Sequence, residues 1–342
     1  MDNPVAVLLV AGTVLLMVAL LWWPKTGIIA KRKKSKETAK KELMEDALKC
    51  IYDNAKENLS FTFDNLVETL SVDHTEVRSI VNRLQELKLL KSKGQLLNLT
   101  SEGIDYALRI IRIHRLWERY LSEETGIPET AWHAQAEIQE HKLSEEEANK
   151  LSHQMGHPRY DPHGDPIPTR SGDLPPEKGR ALIEFSEGDI VQVIHIEDEP
   201  VSVYAEIIDK GIHLDNQVEI LKKLKSKLHI LTDGHVYTFS FDVAKNITVV
   251  LSAKEEAVEE PFLSLTSLKM GEKAKVIKIS RACRGTQRRR LMDLGIVPGT
   301  IISMALVSAG GDPKAYNIRG AVIALRKDQA AYVNVKPLSK VA

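Results

Sequence analysis

The sequence predicts a chain that is mainly α-helical in its N-terminal half and ends in two small β-barrels. Three observations carry this: a charge-free apolar run near the start, apolar residues at helical spacing through the middle, and a β-rich pattern that occurs twice after residue 180. At 342 residues the chain exceeds one ordinary domain and predicts several modules. Apolar content of 43% with 27% charged residues excludes wholesale disorder, collagen and a many-span transporter. Only Cys50 and Cys283 are present, which excludes a disulfide framework and a four-cysteine zinc site and fits a reducing compartment.

The first element, residues 1–23, is expected to be a transmembrane helix. Val5 to Trp23 runs nineteen residues without a charge, enough at about 1.5 Å per residue to cross about 30 Å of hydrocarbon. A cleaved signal peptide would need a basic start and a small-residue cleavage site, and neither is present. Trp22 and Trp23 suit an interface, and Lys31 to Lys34 suit the cytoplasmic side. The expectation is therefore a single-pass inner-membrane protein with a cytoplasmic bulk. The basic linker, residues 24–43, concentrates charge: residues 24–41 hold eight Lys/Arg and one Glu, whereas residues 42–342 hold 39 basic and 45 acidic residues.

Residues 44–103 read as a winged helix. Three helices are expected over Met44 to Glu57, Phe63 to Leu70 and His74 to Leu87, with Ser71-Val72-Asp73 as the tight connection. Asp73 followed by Glu76 marks the start of the third helix. Val77, Ile80, Val81, Leu84 and Leu87 form its buried stripe and leave His74, Thr75, Arg78, Ser79 and Asn82 open. The apolar runs flanking Lys93-Gly94-Gln95 predict a hairpin, hence a wing. For DNA binding the nearest cations to phosphate are Arg78, Arg83, Lys91 and Lys93, with His74, Thr75 and Ser79 reaching bases. Against this, residues 45–103 carry seven basic and ten acidic residues, and winged helices also serve as protein-interaction modules.

Residues 104–168 place His and carboxylate side chains at helical spacing. His114 and Glu118 are four apart; His133, Glu137, Glu140 and His141 follow at i, i+4, i+7 and i+8. A mixed imidazole and carboxylate set without thiolate suits Mn(II) or Fe(II), with Zn(II) compatible, and argues against Cu(I) and iron-sulfur clusters. Taken alone, each His/Glu pair is more often a solvated salt bridge than a ligand pair. Two such sets behind a winged helix favour a metal.

After a linker over residues 169–180, the β-rich pattern recurs. Segments 208–216 and 291–299 echo each other at an offset of 83 to 84, and Ala244 with Val249 echoes Ala330 with Val335 at 86. Two small barrels are expected, over residues 181–254 and 262–340. Arg281, Arg284, Arg288, Arg289 and Arg290 form a dense basic cluster that reads either as a contact for phospholipid, nucleic acid or an acidic partner, or as a solvated rim.

Over residues 43–168 the chain resembles the diphtheria toxin repressor and manganese transport regulator family of metal-dependent repressors. The resemblance rests on Met44-Glu45-Asp46 with Ile51-Tyr52, on His114-Arg115-Leu116-Trp117-Glu118, on Glu137-Ile138-Gln139-Glu140-His141, and on Asp161-Pro162-His163-Gly164-Asp165-Pro166-Ile167-Pro168. It implies His114, Glu137, Glu140, His141 and Asp46 as ligands, with Glu118 and His133 matching an ancillary site of the iron-responsive branch. Acidic Asp46 and Glu137 are similar to the manganese branch, although Lys49 stands where that branch has a second carboxylate. Cys50 is expected in the core. The last barrel resembles the FeoA-like module, an SH3-like barrel, through RRRLMDLGIVPGT and GGDPKAYNIRGAVIALR, and the first resembles a diverged copy.

The fold class expected is therefore a mainly α N-terminal half, comprising transmembrane helix, winged helix-turn-helix and helical metal-binding and dimerisation domain, followed by two small SH3-like β-barrels. No nucleophile with a base, P-loop or dinucleotide fingerprint appears, so a binding protein is expected rather than an enzyme. The function implied is a membrane-tethered, homodimeric, Fe(II)- or Mn(II)-dependent repressor that binds a DNA operator of metal-homeostasis genes. The alternative is a membrane-bound, FeoA-like accessory of a ferrous iron transporter that does not bind DNA.

Overall fold

The computed structural model describes residues 28–56, 59–176, 178–252 and 262–338. The chain divides into two compact units, Met1–Ile111 and Arg112–Ala342. The expected transmembrane helix over residues 5–23 lies outside the described residues. Among the described residues no helix is long and apolar enough to cross a membrane, so the expected single-pass inner-membrane localisation is corrected: the helices that are described are charged or amphipathic.

In the first unit, helix α1 (Ile28–Lys56) begins well before the expected Met44, because residues 28–43 are rich in Lys, Glu and Ala and carry no Gly or Pro. Its Ala47, Leu48 and Ile51 are buried. Helix α2 (Phe63–Leu70) opens on a reciprocal cap: Thr62 Oγ1 accepts from Asn65 N–H at 3.2 Å, and Asn65 Oδ1 accepts from Thr62 N–H at 3.0 Å. It stops at Ser71, which turns left-handed at φ 53°. Helix α3 (His74–Glu86) starts where Asp73 accepts the N–H groups of Thr75 and Glu76, both at 2.8 Å. Val77, Ile80, Val81 and Leu84 face the core with Leu48, Ile51 and Leu66, and Cys50 packs against that core. Leu87 departs from the expected stripe: it follows the last turn and is 44% exposed. Strands β1 (Leu90–Lys93) and β2 (Leu96–Leu99) pair antiparallel across Gly94-Gln95, as the hairpin pattern predicted.

Helix α4 (Ser101–Glu124) runs through the boundary at Ile111 into the second unit. There it is followed by a 3₁₀ turn over Glu129–Ala131, helix α5 (Trp132–Glu140) and helix α6 (Glu145–Gln154). Ile113, Leu116, Ala148, Leu151 and Ile167 form their shared core. Two six-stranded antiparallel sheets follow. The first contains β3 (Arg180–Ala181), β4 (Ile190–Ile196), β5 (Gln217–Lys223), β6 (Lys227–Thr232), β7 (His235–Ser240) and β8 (Ile247–Leu251), with α7 (Val201–Asp209) after β4 and α8 (Phe241–Ala244) after β7. The second contains β9 (Leu263–Ser264), β10 (Lys273–Ile279), β11 (Ile301–Val307), β12 (Lys314–Ile318), β13 (Ala321–Leu325) and β14 (Val333–Pro337), with α9 (Gly285–Asp293) and α10 (Lys327–Ala331) in the same positions.

The strand orders are β3-β8-β4-β5-β6-β7 and β9-β14-β10-β11-β12-β13, one topology used twice. Strand starts differ by 83 (β4 and β10), 84 (β5 and β11) and 86 (β8 and β14), the offsets of the sequence repeat. Each sheet closes over its own apolar cluster, with Phe239 fully buried in the first and Tyr316 in the second.

The arginine cluster is consumed largely inside the second unit. Arg289 forks onto Glu124 at 2.9 and 3.1 Å and donates to the Glu123 carbonyl at 2.9 Å, where a cation meets the negative end of α4. Arg284 donates to the Pro162 carbonyl at 3.2 Å and covers the Trp132 ring at 5.5 Å. Arg281 pairs with Asp215 at 3.0 Å, and Arg288 donates to the carbonyls of Ile279 and Ser280. Gly285 has φ +56°, and a Cβ there would stand 2.8 Å from the carbonyl oxygens of both Ser122 and Glu123. Only glycine lets α9 approach the end of α4 this closely.

Candidate metal centre

Helices α4 and α5 bring the second-unit site residues together. On α4 the four-residue spacing sets His114 Nε2 3.1 Å from Glu118 Oε1, both buried. On α5, Glu140 Oε2 lies 2.5 Å from His114 Nδ1, and His141 Nε2 lies 3.7 Å from Glu140 Oε1. His133 reaches Glu118 Oε1 with Nδ1 and Glu137 Oε1 with Nε2, each at 3.5 Å, and its ring centre is 4.8 Å from that of His114. Glu137 is the exposed member, 54% accessible at its side chain. Asp46 stands on α1, in the first unit.

Two residues enter the centre that sequence spacing did not single out as ligands. His163, from the loop over residues 161–168, holds Nδ1 3.7 Å from both Glu118 Oε2 and Asp198 Oδ2. Asp198, in the turn between β4 and α7, also approaches His133 Nδ1 at 2.9 Å, and Glu199 approaches His133 Nε2 at 3.4 Å. His163 lay in view inside the Asp161–Pro168 motif. The signal for Asp198 was the run of three carboxylates, Glu197-Asp198-Glu199, at a strand end.

His114, Glu118 and His133 each offer one atom within 4.8 Å of the others, and so do Glu118, His163 and Asp198, so Glu118 belongs to both groups. Glu118 Oε1, His133 Nδ1 and both ring nitrogens of His163 are buried without a well-formed hydrogen bond among the described residues. Buried polar atoms are normally satisfied. Lone pairs of imidazole and carboxylate converging in this way fit a first-row divalent cation, and no thiolate joins them: Cys283 is buried, which pushes its thiol up to about 11.

Without a metal the site stores protons. Burial acts against the charged form of His133, but the carboxylates close around it, Asp198 first and then Glu118, Glu137 and Glu199, raise its pKa well above the ordinary range. Burial likewise opposes His163, yet the Glu118 carboxylate 3.7 Å away brings it up to about 9. Burial would raise Glu118, but the His114 charge and the surrounding imidazoles hold it well below the usual carboxylate range. A metal requires the neutral imidazole, so cation and proton compete. Affinity for Mn(II) should therefore rise with pH up to about 9, where His163 gives up its proton, by roughly tenfold per unit for each histidinium displaced. Titration at several pH values with proton release measured checks this; a flat profile with no release would show that the histidines are neutral before the metal arrives.

The surface residues expected to meet DNA all belong to the first unit. His74, Thr75, Arg78, Ser79 and Arg83 are exposed on α3, and Lys91 and Lys93 are exposed on β1. Arg83 pairs with Glu86 at 2.8 Å. From α1, Lys40 Nζ donates to Ser79 Oγ at 2.9 Å, which sets the basic end of that helix beside α3.

Residues 100–169 match the family described as iron dependent repressor, metal binding and dimerisation domain, and residues 263–337 match the FeoA domain. The iron-dependent repressor IdeR of Mycobacterium leprae is 29% identical over 203 residues, covering 55% of this chain and 87% of its own length. The diphtheria toxin repressor of Corynebacterium efficiens is 26% identical over 216 residues, 59% of this chain and 92% of its own. A solved manganese-dependent transcriptional repressor in complex with manganese aligns with a TM-score of 0.56 at 29% identity, over 61% of this chain and all of that one. With the two helical His/carboxylate sets, the Asp161–Pro168 loop and these matches in hand, the chain carries the metal binding and dimerisation domain of the iron-dependent repressors and a FeoA domain near its C-terminus, and it is similar to the diphtheria toxin repressor and IdeR over more than half its length.

Proposed function

We propose that the protein is an Fe(II)- or Mn(II)-dependent repressor that binds a DNA operator of metal-homeostasis genes as a homodimer. The observation that carries this is the buried group of Glu118, His133 and His163, whose unsatisfied polar atoms converge beside His114 in the region matching the family's metal-binding domain. Glu118, His114 and His133 are proposed as ligands, joined by His163 and Asp198. Glu137, Glu140 and His141 are proposed as further ligands, and Asp46 is retained from the resemblance. A bound divalent ion supplies a positive centre that ties these carboxylates and imidazoles together and releases their protons. Each sheet is read as an SH3-like barrel, which the shared strand order and the FeoA match of the second support. The family's dimerisation domain over residues 100–169 supports the homodimer, and two copies present two recognition helices to successive turns of one DNA face.

The alternative, a membrane-bound accessory of a ferrous iron transporter, is set aside. Repressors match over 87% and 92% of their own lengths.

The acidic winged helix is the obstacle to DNA binding, and α1 answers it. Residues 28–44 add seven basic and two acidic residues to the seven and ten of residues 45–103, which turns the sum positive. Lys40 lies against Ser79 of α3, so its charge is available where His74, Thr75 and Ser79 would read bases and Arg78, Arg83, Lys91 and Lys93 would hold phosphates. Gel-shift titration of the promoter DNA should show a Mn(II)- or Fe(II)-dependent complex that chelator abolishes. In Lys40→Glu, affinity should fall by about tenfold and the log-log salt slope should shrink by about 0.9, one phosphate's worth. A complex indifferent to metal, or none on any genomic fragment, would remove the repressor reading.

A further inference from the structure

Outside the metal centre, the second unit contains a cleft of about 530 Å³ lined by a buried arginine with no hydrogen-bonding side chain among the described residues. Arg112 lines it from α4 and is only 8% exposed, with Nε buried and unbonded. Among the described residues its guanidinium makes no side-chain hydrogen bond and no ion pair. His114 follows two residues later, and residues two apart on a helix point to opposite faces, so the cleft lies across α4 from the metal centre.

Two more guanidinium groups line the cleft from exposed positions, Arg159 and Arg170. Arg170 Nε is 3.5 Å from Glu145 Oε1, whereas Arg159 has no side-chain partner among the described residues. The carboxylate on the lining is Asp173, already held by Ser171 Oγ at 2.6 Å within its own turn. Three cations thus face two carboxylates, Glu145 beside Arg170 and Asp173 within its own turn. The lining also includes the apolar side chains of Ile167, Leu174 and Pro175.

The Glu145 charge acts on Arg112 without contacting it, and a buried guanidinium with no direct hydrogen-bonding partner is costly. Its planar fork matches a carboxylate or phosphate in two parallel hydrogen bonds. We propose that this cleft binds a small organic anion, its carboxylate or phosphate head on Arg112 and Arg159 and its compact apolar body against Ile167, Leu174 and Pro175. The cleft volume suits one such molecule.

The test is calorimetric titration of the full chain, stripped of metal on a chelating resin, with phenyl phosphate, benzoate, inorganic phosphate and neutral benzyl alcohol. Phenyl phosphate or benzoate should bind saturably, inorganic phosphate more weakly, and benzyl alcohol not at all; the tighter of the two organic anions assigns the head group. Arg112→Met should weaken binding by about tenfold or more while melting no lower than the parent, because it removes a buried unpaired charge. Arg159→Ala, on the exposed side, should weaken binding to a similar degree without touching the fold, and it decides the matter even if Arg112→Met fails to fold. The proposal is overturned if neither organic anion saturates below about 10 mM, or if binding is unchanged in the variants that fold.

Discussion

Glu118→Gln is expected to lower Mn(II) affinity by on the order of a hundredfold, about 2.7 kcal/mol, the largest loss of any single side chain in the centre. The reason is sharing. One carboxylate serves His114 at 3.1 Å and His133 at 3.5 Å through Oε1, and His163 at 3.7 Å through Oε2, so it belongs to both groups that can hold an ion. The amide keeps the volume and loses the charge, so packing is not the cause of the effect. In the metal-free variant His163 loses the Glu118 carboxylate that raises its pKa to about 9. Its imidazole should then titrate at lower pH in the NMR spectrum, separating a lost ligand from a disturbed fold. Wild-type affinity together with an unmoved imidazole pKa would show that Glu118 serves only as a buried salt bridge.

Gly164→Ala should disrupt the same centre from a distance. Gly164 has φ +100°, and a Cβ built there would lie 2.2 Å from the Ile194 carbonyl oxygen and 2.8 Å from His195 Cα. Side-chain-bearing residues avoid that backbone region, and the facing atoms are themselves backbone in β4, which cannot yield. The loop is tightly tied: Asp161 Oδ1 accepts the N–H groups of His163, Gly164 and Asp165 at 2.8, 2.9 and 2.9 Å, and Ile196 N–H donates to the His163 carbonyl at 2.9 Å. Alanine must lift the loop from β4, and His163 leaves with it. A cost of about 3–5 kcal/mol is expected, read as a fall of about 10 °C in melting temperature with a parallel loss of metal affinity. Melting within a degree of wild type would mean that the loop relaxes without strain.

The elements with a strong local signal were legible from the residues. Helix α2 was bounded by Thr62 and Ser71 and α3 by Asp73, and the hairpin by Gly94-Gln95, because caps and turns are satisfied by neighbours in the chain. The duplicated sheet was legible because each copy repeats its turn chemistry at matching offsets. Leu87 was misplaced because a helical period says nothing about where a helix ends. The membrane localisation rested on residues 5–23 and the basic run from Lys31 to Lys34, and no described helix has the length and apolarity it required. In the metal centre, helical spacing paired His114 with Glu118 and His133 with Glu137, since i and i+4 share a face whatever the surroundings.

Residue chemistry along the chain was sufficient for the helix and strand order, the repeat, the imidazole-carboxylate character of the centre and the absence of thiolate from it. Only folding in three dimensions added His163 and Asp198 to Glu118, aimed Arg284 and Arg289 inward at Pro162 and Glu124, and left Arg112 Nε buried without a hydrogen-bond partner among the described residues. Those pairings join residues from 35 to more than 160 positions apart, through loops whose paths no periodicity encodes. Local spacing specifies which side chains share a face, whereas burial and the closing of distant loops decide which charges must answer one another.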